Sequence, residues 1–266
     1  MTIVFIGDIH QMWDKVERGL ARLPTLPKAA VILGDVQCDK PLDVLAAPLL
    51  SRGIAVHWIF GNHDNDGGPG MWHFLTSPEH NPVTAERSLH ASVTTVEGVR
   101  IAGLGGTFRP RVWEPPALPR LQGRVELPDD VRQMGKGWRP DHINALVHSL
   151  GTLAIWPEDY DYLAGQQADI LVTHEAPSSH PAGKAALDAL ARAMGVRLIV
   201  HGHHHVNYLA TAHDGLQALG VGAAWGVTDS GEILWEGEAT RHLTPSPSGW
   251  MRRAAMARPD TPVTAA

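Results

Sequence analysis

Five short apolar runs in this chain of 266 residues each end in side chains that bind hard or borderline metal ions. Residues 3–6 lead into Gly7-Asp8-Ile9-His10, and 30–33 lead into Gly34-Asp35-Val36-Gln37-Cys38-Asp39. Residues 55–60 lead into Gly61-Asn62-His63-Asp64, 170–172 into Thr173-His174-Glu175, and 198–200 into His201-Gly202-His203-His204-His205. Carboxylate, imidazole and one carboxamide, without thiolate, suit Mn, Fe, Zn, Co or Ni better than Cu(I) or an iron–sulfur cluster. Two such cations about 3.5–4 Å apart bind a phosphoryl oxygen, lower the pKa of a bridging water and stabilise the charge of an in-line displacement. One histidine after a strand is ordinarily a surface or hydrogen-bonded residue. Five ligand-bearing loops converging on one edge call for metal.

Those side chains can meet only if the runs are neighbouring strands with their ends on one edge. The intervening segments supply the means. Residues 14–23 set Val16, Leu20 and Leu23 at helical spacing before Pro24, and 41–50 read as a second helix with Pro41 near its start. A strand–helix–strand rhythm implies parallel pairing with right-handed crossovers. Asp8 and His10 lie two apart, where strand side chains share a face. The order strand, glycine, ligand recurs three times, as at the carboxyl ends of parallel strands.

Further along, 92–96 and 99–104 flank Glu97-Gly98 as a hairpin. Residues 208–212 and 216–221 flank His213-Asp214-Gly215 as another, and 226–229 with 232–235 suggest a third. Helices are expected near 141–150 and over 183–194, the latter ended by Gly195. Residues 107–140 break the rhythm with six prolines and seven Lys/Arg against four Asp/Glu, and read as an irregular cap or loop. The expected organisation is one domain over 1–240, with a loosely ordered tail rich in Pro, Ser, Ala and Arg over 241–266.

Composition narrows the class. The net charge of −6 argues against a surface that coats nucleic acid. Cys38 is the single cysteine, so no intrachain disulfide forms and a reducing cytoplasm is expected. No apolar run reaches 18 residues, and the first residues read as a strand rather than a signal peptide, so no membrane partner is expected. Other chemistries lack their motifs. Prolines follow Gly103-Leu104-Gly105-Gly106 where a dinucleotide-binding helix would start. His-Glu-x-x-His and Gly-x-Ser-x-Gly are absent, as is the aspartate of His-x-His-x-Asp.

The series Asp-x-His, Gly-Asp-x-x-Asp, Gly-Asn-His-Asp, a lone His and Gly-His-x-His resembles the motif set of the calcineurin-like metallophosphoesterases, from residue 3 to about 225. The resemblance implies an α/β fold of four layers (αββα), two mixed sheets face to face with helices outside. By motif position it implies one metal held by Asp8, His10, Asp35 and His205, and a second by Asp35, Asn62, His174 and His203. Asp35 would bridge them and screen their repulsion. His63 would serve as general acid beside the leaving group, with Asp64 orienting its ring, while a metal-bridged hydroxide attacks phosphorus. Mn is the first expectation for both ions. Residues outside the ligand sets have plainer readings: Asp39 shapes its loop, Cys38 packs, and His201 supports its strand. His204, as the x residue, is expected to point away from the metals, and His180 lies near enough in sequence to approach the cleft.

The departures define a branch. Gln11, Val36-Gln37-Cys38-Asp39 and Asp64 depart from the forms usual in protein phosphatases of the superfamily. The Gly-Asn-His-Asp form looks like bacterial and archaeal phosphodiesterase branches. The expected reaction is therefore hydrolysis of a small soluble phosphoester, diester or monoester. Arg109 and Arg111 are candidates to meet phosphate oxygens bidentately, although arginines more often simply face water. The alternatives are a nuclease with residues 107–140 as a DNA-facing cap, and a non-catalytic scaffold of the same fold.

Overall fold

A computed structural model describes residues 3–239, 249–253 and 256–257. Three parallel strands, β1 (Ile3–Ile6), β2 (Ala29–Ile32) and β3 (Ala55–Trp58), form one side of the first sheet. The opening strand of the second sheet, β4 (Ser92–Val96), pairs antiparallel with β5 (Val99–Leu104), and β5 then runs parallel to β6 (Ile170–Thr173) and β7 (Leu198–His201). The hairpin β8 (Tyr208–Ala212) and β9 (Gln217–Gly220) extends that sheet, with β9 parallel to β7. The chain returns to the first sheet as the antiparallel pair β10 (Gly226–Val227) and β11 (Glu232–Trp235). It ends with β12 (Trp250–Arg253) on β8 and β13 (Met256–Ala257) on β11. Both sheets are mixed, in the orders β13-β11-β10-β1-β2-β3 and β12-β8-β9-β7-β6-β5-β4.

Strand alternation builds the layers. Ile3, Phe5, Val31 and Leu33 of the first sheet meet Ile101, Ile170, Val172, Leu198 and Val200 of the second in a shared core. The opposite side chains, Val4, Ile6, Ala30, Ile32 and Val56, pack outward on Val16 and Leu20 of α1 (Trp13–Ala21), and on Leu42 of α2 (Leu42–Leu45) and Leu49 of α3 (Ala47–Leu50). The second sheet presents Ala102, Leu104, Leu171 and Ile199 outward to the later helices. Strands buried on both faces read as unbroken apolar runs, which is why the five runs stand out in the sequence. Two sheets inside, helices outside: the four layers are present.

Several elements differ from expectation. Residues 41–50 form two short helices rather than one, because Pro48 near the start of α3 has no N–H to continue the ladder. A helix with no counterpart in the sequence reading, α4 (Pro69–Thr76), follows the third ligand loop. The segment 107–140 is not irregular throughout. Residues 124–126 make a 3₁₀ turn leading into α5 (Leu127–Met134), which packs against α6 (Pro140–Leu153) around Val112, Leu121, Leu127, Val131 and Trp156. Arg124 ties this small core down, with 2.6 Å contacts to Glu158 and Asp159 of α7 (Pro157–Ala164), before the chain reaches α8 (Ala185–Ala193). In the expected loose tail, Trp250–Arg253 and Met256–Ala257 are strands, one on an edge of each sheet; apart from Gly249, the rest of 241–266 lies outside the described residues. Among the described residues no helix is long and apolar enough to cross a membrane.

Candidate metal centre

The carboxyl ends of β1, β2 and β3 in one sheet, and of β6 and β7 in the other, open onto one cleft of about 240 Å³. His10, Asp35, His63, His203, His204 and His205 line it. The loops that deliver them are strained. Among the described residues nine non-glycine positions have positive φ, and six of them are His10, Gln11, Asp35, Gln37, His203 and His205. Each left-handed L-residue costs about 1–2 kcal/mol. Such strain persists only where surrounding structure enforces it, and it clusters at functional sites.

Two glycines permit the close approach of the loops. A Cβ on Gly61 would lie 2.1 Å from Asp35 Oδ1 and 2.5 Å from His174 Cε1. One on Gly34 would lie 2.6 Å from both Gly61 N and His174 Nδ1, at a φ of +99° that a side chain rarely adopts. Gly61→Ala should therefore displace Asp35 or His174, lower metal content and cost roughly 1–3 kcal/mol, the usual scale of overpacking. Elemental analysis beside thermal melting checks this; a variant with full metal content would show that the loops yield without disturbing the ligands.

Among the described residues the donor atoms gather into groups that could hold a metal ion. Asp8, His10 and His205 offer ligand atoms within 4.8 Å of one another, and so do Asp35, His174 and His203. Asp35 joins them: its Oδ2 lies 3.7 Å from His10 Nε2 and 3.3 Å from His174 Nε2, while Oδ1 accepts the His63 backbone N–H at 2.7 Å. Asn62 Oδ1 lies 3.1 Å from His174 Nε2. The second ring nitrogens are committed in a way that frees the first. His174 Nδ1 donates to the Leu33 carbonyl at 2.8 Å, and His10 Nδ1 donates to Gln37 Oε1 at 3.0 Å, which leaves both Nε2 lone pairs facing the cleft. His10 Nε2 and His205 Nε2 come within 3.1 Å. Paired imidazole lone pairs beside a buried carboxylate fit divalent cations, and the donor set fits two of them.

Charge among these side chains alone is frustrated. Burial by itself would push the His174 imidazole down, yet the carboxylates of Asp35 and Asp8 overcome it and raise it to about 10. Burial lifts the Asp8 carboxyl to about 7 against the pull of His174. Asp35 is also buried, but the facing His174 holds it well below the usual carboxylate range. Burial, then repulsion from charged His174, drives His203 down to about 2. A cation must therefore displace the His174 proton, since a ligand imidazole is neutral. Apparent Mn²⁺ affinity should rise roughly tenfold per pH unit for each proton displaced. One proton from His174 applies from neutral pH up to about 10, and a second from Asp8 applies below about 7. Calorimetry in buffers of different ionisation heat counts these protons; uptake without release would remove His174 from the ligand set.

Other site residues fall differently from the sequence reading. Asp64 does not orient His63. Its buried carboxylate accepts the backbone N–H groups of Gln37 at 2.7 Å and Gly61 at 2.8 Å, and so braces two ligand loops from within. Asp66 takes the expected role, with Oδ2 at 2.6 Å from His63 Nδ1. Gln37 Nε2 reaches the same Asp66 oxygen at 3.4 Å. The spacing His63-x-x-Asp66 is visible in the sequence, but the adjacent Asp64 masked it. His204 does not turn away; it lines the cleft, and His180 stacks on it with ring centroids 3.8 Å apart. His201 does support its strand, fully buried and 2.6 Å from the Tyr208 hydroxyl. Neither Arg109 nor Arg111 is among the cleft residues, and Arg111 is held by Asp130 at 2.7 Å inside the cap.

The family model described as calcineurin-like phosphoesterase matches residues 1–207. An uncharacterized protein of Haemophilus influenzae is 35% identical over 211 residues, covering 77% of this chain and 84% of its own. Among solved structures, a dimetal phosphatase from Danio rerio superposes with a TM-score of 0.51 at 12% identity, over 84% of this chain and 88% of its own. A protein of Thermus thermophilus superposes with a TM-score of 0.50 at 14% identity, over 85% of this chain and 92% of its own. At these identities the two structures speak for the fold.

Proposed function

The chain belongs to the calcineurin-like phosphoesterase family, hydrolases of phosphoester bonds, and on that premise we propose a two-metal enzyme for small phosphoesters in which His63 is the general acid. One observation carries the reading: Asp35 Oδ2 lies between the Nε2 atoms of His10 and His174, with a donor group on either side. Asp8, His10, Asp35 and His205 would hold one cation; Asp35, Asn62, His174 and His203 would hold the other. When bound, the pair supplies Lewis-acid stabilisation of the phosphoryl oxygens and an acidified water. Imidazole and carboxylate donors accept Mn, Fe, Zn, Co and Ni alike, and Mn is the ion taken for the tests.

The chain's own residues do the rest. Asp66 accepts the Nδ1 proton of His63 and leaves Nε2 to hold the proton for the departing oxygen. Gln37 contacts both His10 and Asp66, so it sets the metal ligand and the acid in one frame. The narrow cleft supports a small ester. Four of the seven basic residues of 107–140, Arg111, Arg124, Arg132 and Arg139, are paired with carboxylates, which weakens the case for a DNA-facing cap.

The test is hydrolysis of bis(p-nitrophenyl) phosphate and p-nitrophenyl phosphate by chelator-treated protein, with Mn²⁺ added back. Turnover of either ester that is absent after chelation and returns with Mn²⁺ is expected. Turnover that persists without metal would sink the two-metal reading.

A further inference from the structure

Beside the paired centre is a third group of donors that neither expected metal uses in full. Glu175, His203 and His204 offer ligand atoms that lie within 4.8 Å of one another. His204 Nε2 is buried and has no hydrogen-bond partner, and the nearest Glu175 oxygen is 3.8 Å away. That separation is too long for a hydrogen bond. It suits two ligands of one cation, since donors about 2.0–2.2 Å from a metal stand roughly 3.4 Å or more apart at tetrahedral or wider angles.

The pair is built rather than incidental. Glu175 is 7% exposed and its Oε1 accepts the Ala176 backbone N–H at 3.2 Å, which fixes the carboxylate. The His180 ring lies flat on His204, 9° from parallel. His180 is itself held, because its Nδ1 accepts the Ala182 N–H at 3.2 Å, and its segment is tied down by Ser178 on Asp188 and by Ser179 on Tyr208. An imidazole clamped in this way, with a buried nitrogen facing a buried carboxylate, is held in place as a ligand.

We infer that Glu175, His203 and His204 form a further divalent-cation site on the wall of the cleft. One carboxylate and two imidazoles match zinc-type coordination, with cleft water completing the shell. His203 would serve the Asp35–His174 set through one ring nitrogen and this site through the other as an imidazolate, its remaining ring N–H proton passing to solvent as the accessory cation binds. The accessory ion would then sit against the substrate side of the centre, where it adds positive charge for a phosphate. Apart from the shared His203, this site does not depend on the two-metal reading.

Equilibrium dialysis of the full chain against Zn²⁺ alone, read by elemental analysis, tests it. Wild type should saturate at three equivalents per chain, and Glu175→Gln and His204→Asn at two each. Circular dichroism accompanies each variant, so that one folded variant suffices if the other fails. Asp35→Ala should lose the paired ions and keep at most one. Saturation of wild type at two overturns the accessory site and leaves the paired centre standing. Three equivalents that persist in both variants also overturn it, because surface histidines would then hold the third. No bound zinc in wild type would overturn the accessory site and the two-metal reading together.

Discussion

Asp35→Ala should leave a folded protein that has lost nearly all its metal. Asp35 Oδ2 reaches both donor groups, 3.7 Å from His10 Nε2 and 3.3 Å from His174 Nε2. Without it, two like charges a few ångströms apart have no anion between them. The loss in turnover should be at least roughly 10²–10³-fold, the scale of removing one oriented electrostatic stabiliser, and larger because both cations depend on it. Asp35→Asn separates charge from shape: its amide oxygen can still accept the His63 N–H, so the loop can persist while the paired ions are lost. Elemental analysis and a rate assay on the same preparation decide the matter. Variants that hold as many ions per chain as wild type would end the assignment.

His63→Asn should keep both ions and show a loss that depends on what departs. The residue lines the cleft beside the ligand Asn62, but belongs to neither donor group. With Nδ1 committed to Asp66, its other nitrogen would be the proton source for the leaving oxygen on the proposed mechanism. General-acid help is worth about 10²–10⁴-fold when the leaving group is poor, and little when it departs readily as an anion. Alkyl and nucleoside esters should therefore suffer the full loss and nitrophenyl esters much less. Asp66→Asn should follow the same pattern at smaller amplitude, whereas Asp64→Asn should instead disturb the loops at Gln37 and Gly61 and reduce metal content. A uniform drop across leaving groups in His63→Asn would mean that the imidazole positions phosphate.

The contrast between Asp64 and Asp66 shows where the sequence was informative and where it was not. The ligand-bearing strands were legible because parallel strands buried on both faces are apolar throughout, so each ended abruptly at its polar loop. Those endings offered the polar side chains, the motif resemblance picked Asp8, His10, Asp35, Asn62, His174, His203 and His205 from among them, and the structure brings these seven together at and beneath one cleft. The partner of His63 did not follow, since adjacency in sequence says nothing about which carboxylate turns toward the ring. Asp64 is drawn inward by two backbone donors, and Asp66 is left to meet the imidazole. His204 was misread for a related reason. At the end of β7 the backbone takes left-handed turns at His203 and His205, so strand alternation no longer says which way a side chain points. Arg111 looked available as a lone basic residue, but Asp130, nineteen positions away, takes it through a fold of the cap that composition cannot reveal.

The division of the ligands between the two sheets has a mechanical consequence. Asp8, His10, Asp35 and Asn62 follow strands of the first sheet; His174, His203 and His205 follow strands of the second. Each ion would thus work as a rivet through two leaves that are otherwise joined by apolar contact and a few hydrogen bonds, such as His174 Nδ1 to the Leu33 carbonyl. Removing the rivets releases one edge of the sandwich and leaves the opposite edge clasped by its own side chains. Chelation should loosen amide exchange in the loops after β1, β2, β6 and β7, while the far ends of the same strands stay protected. The protein then behaves as a hinged book whose spine is hydrophobic and whose clasp is ionic.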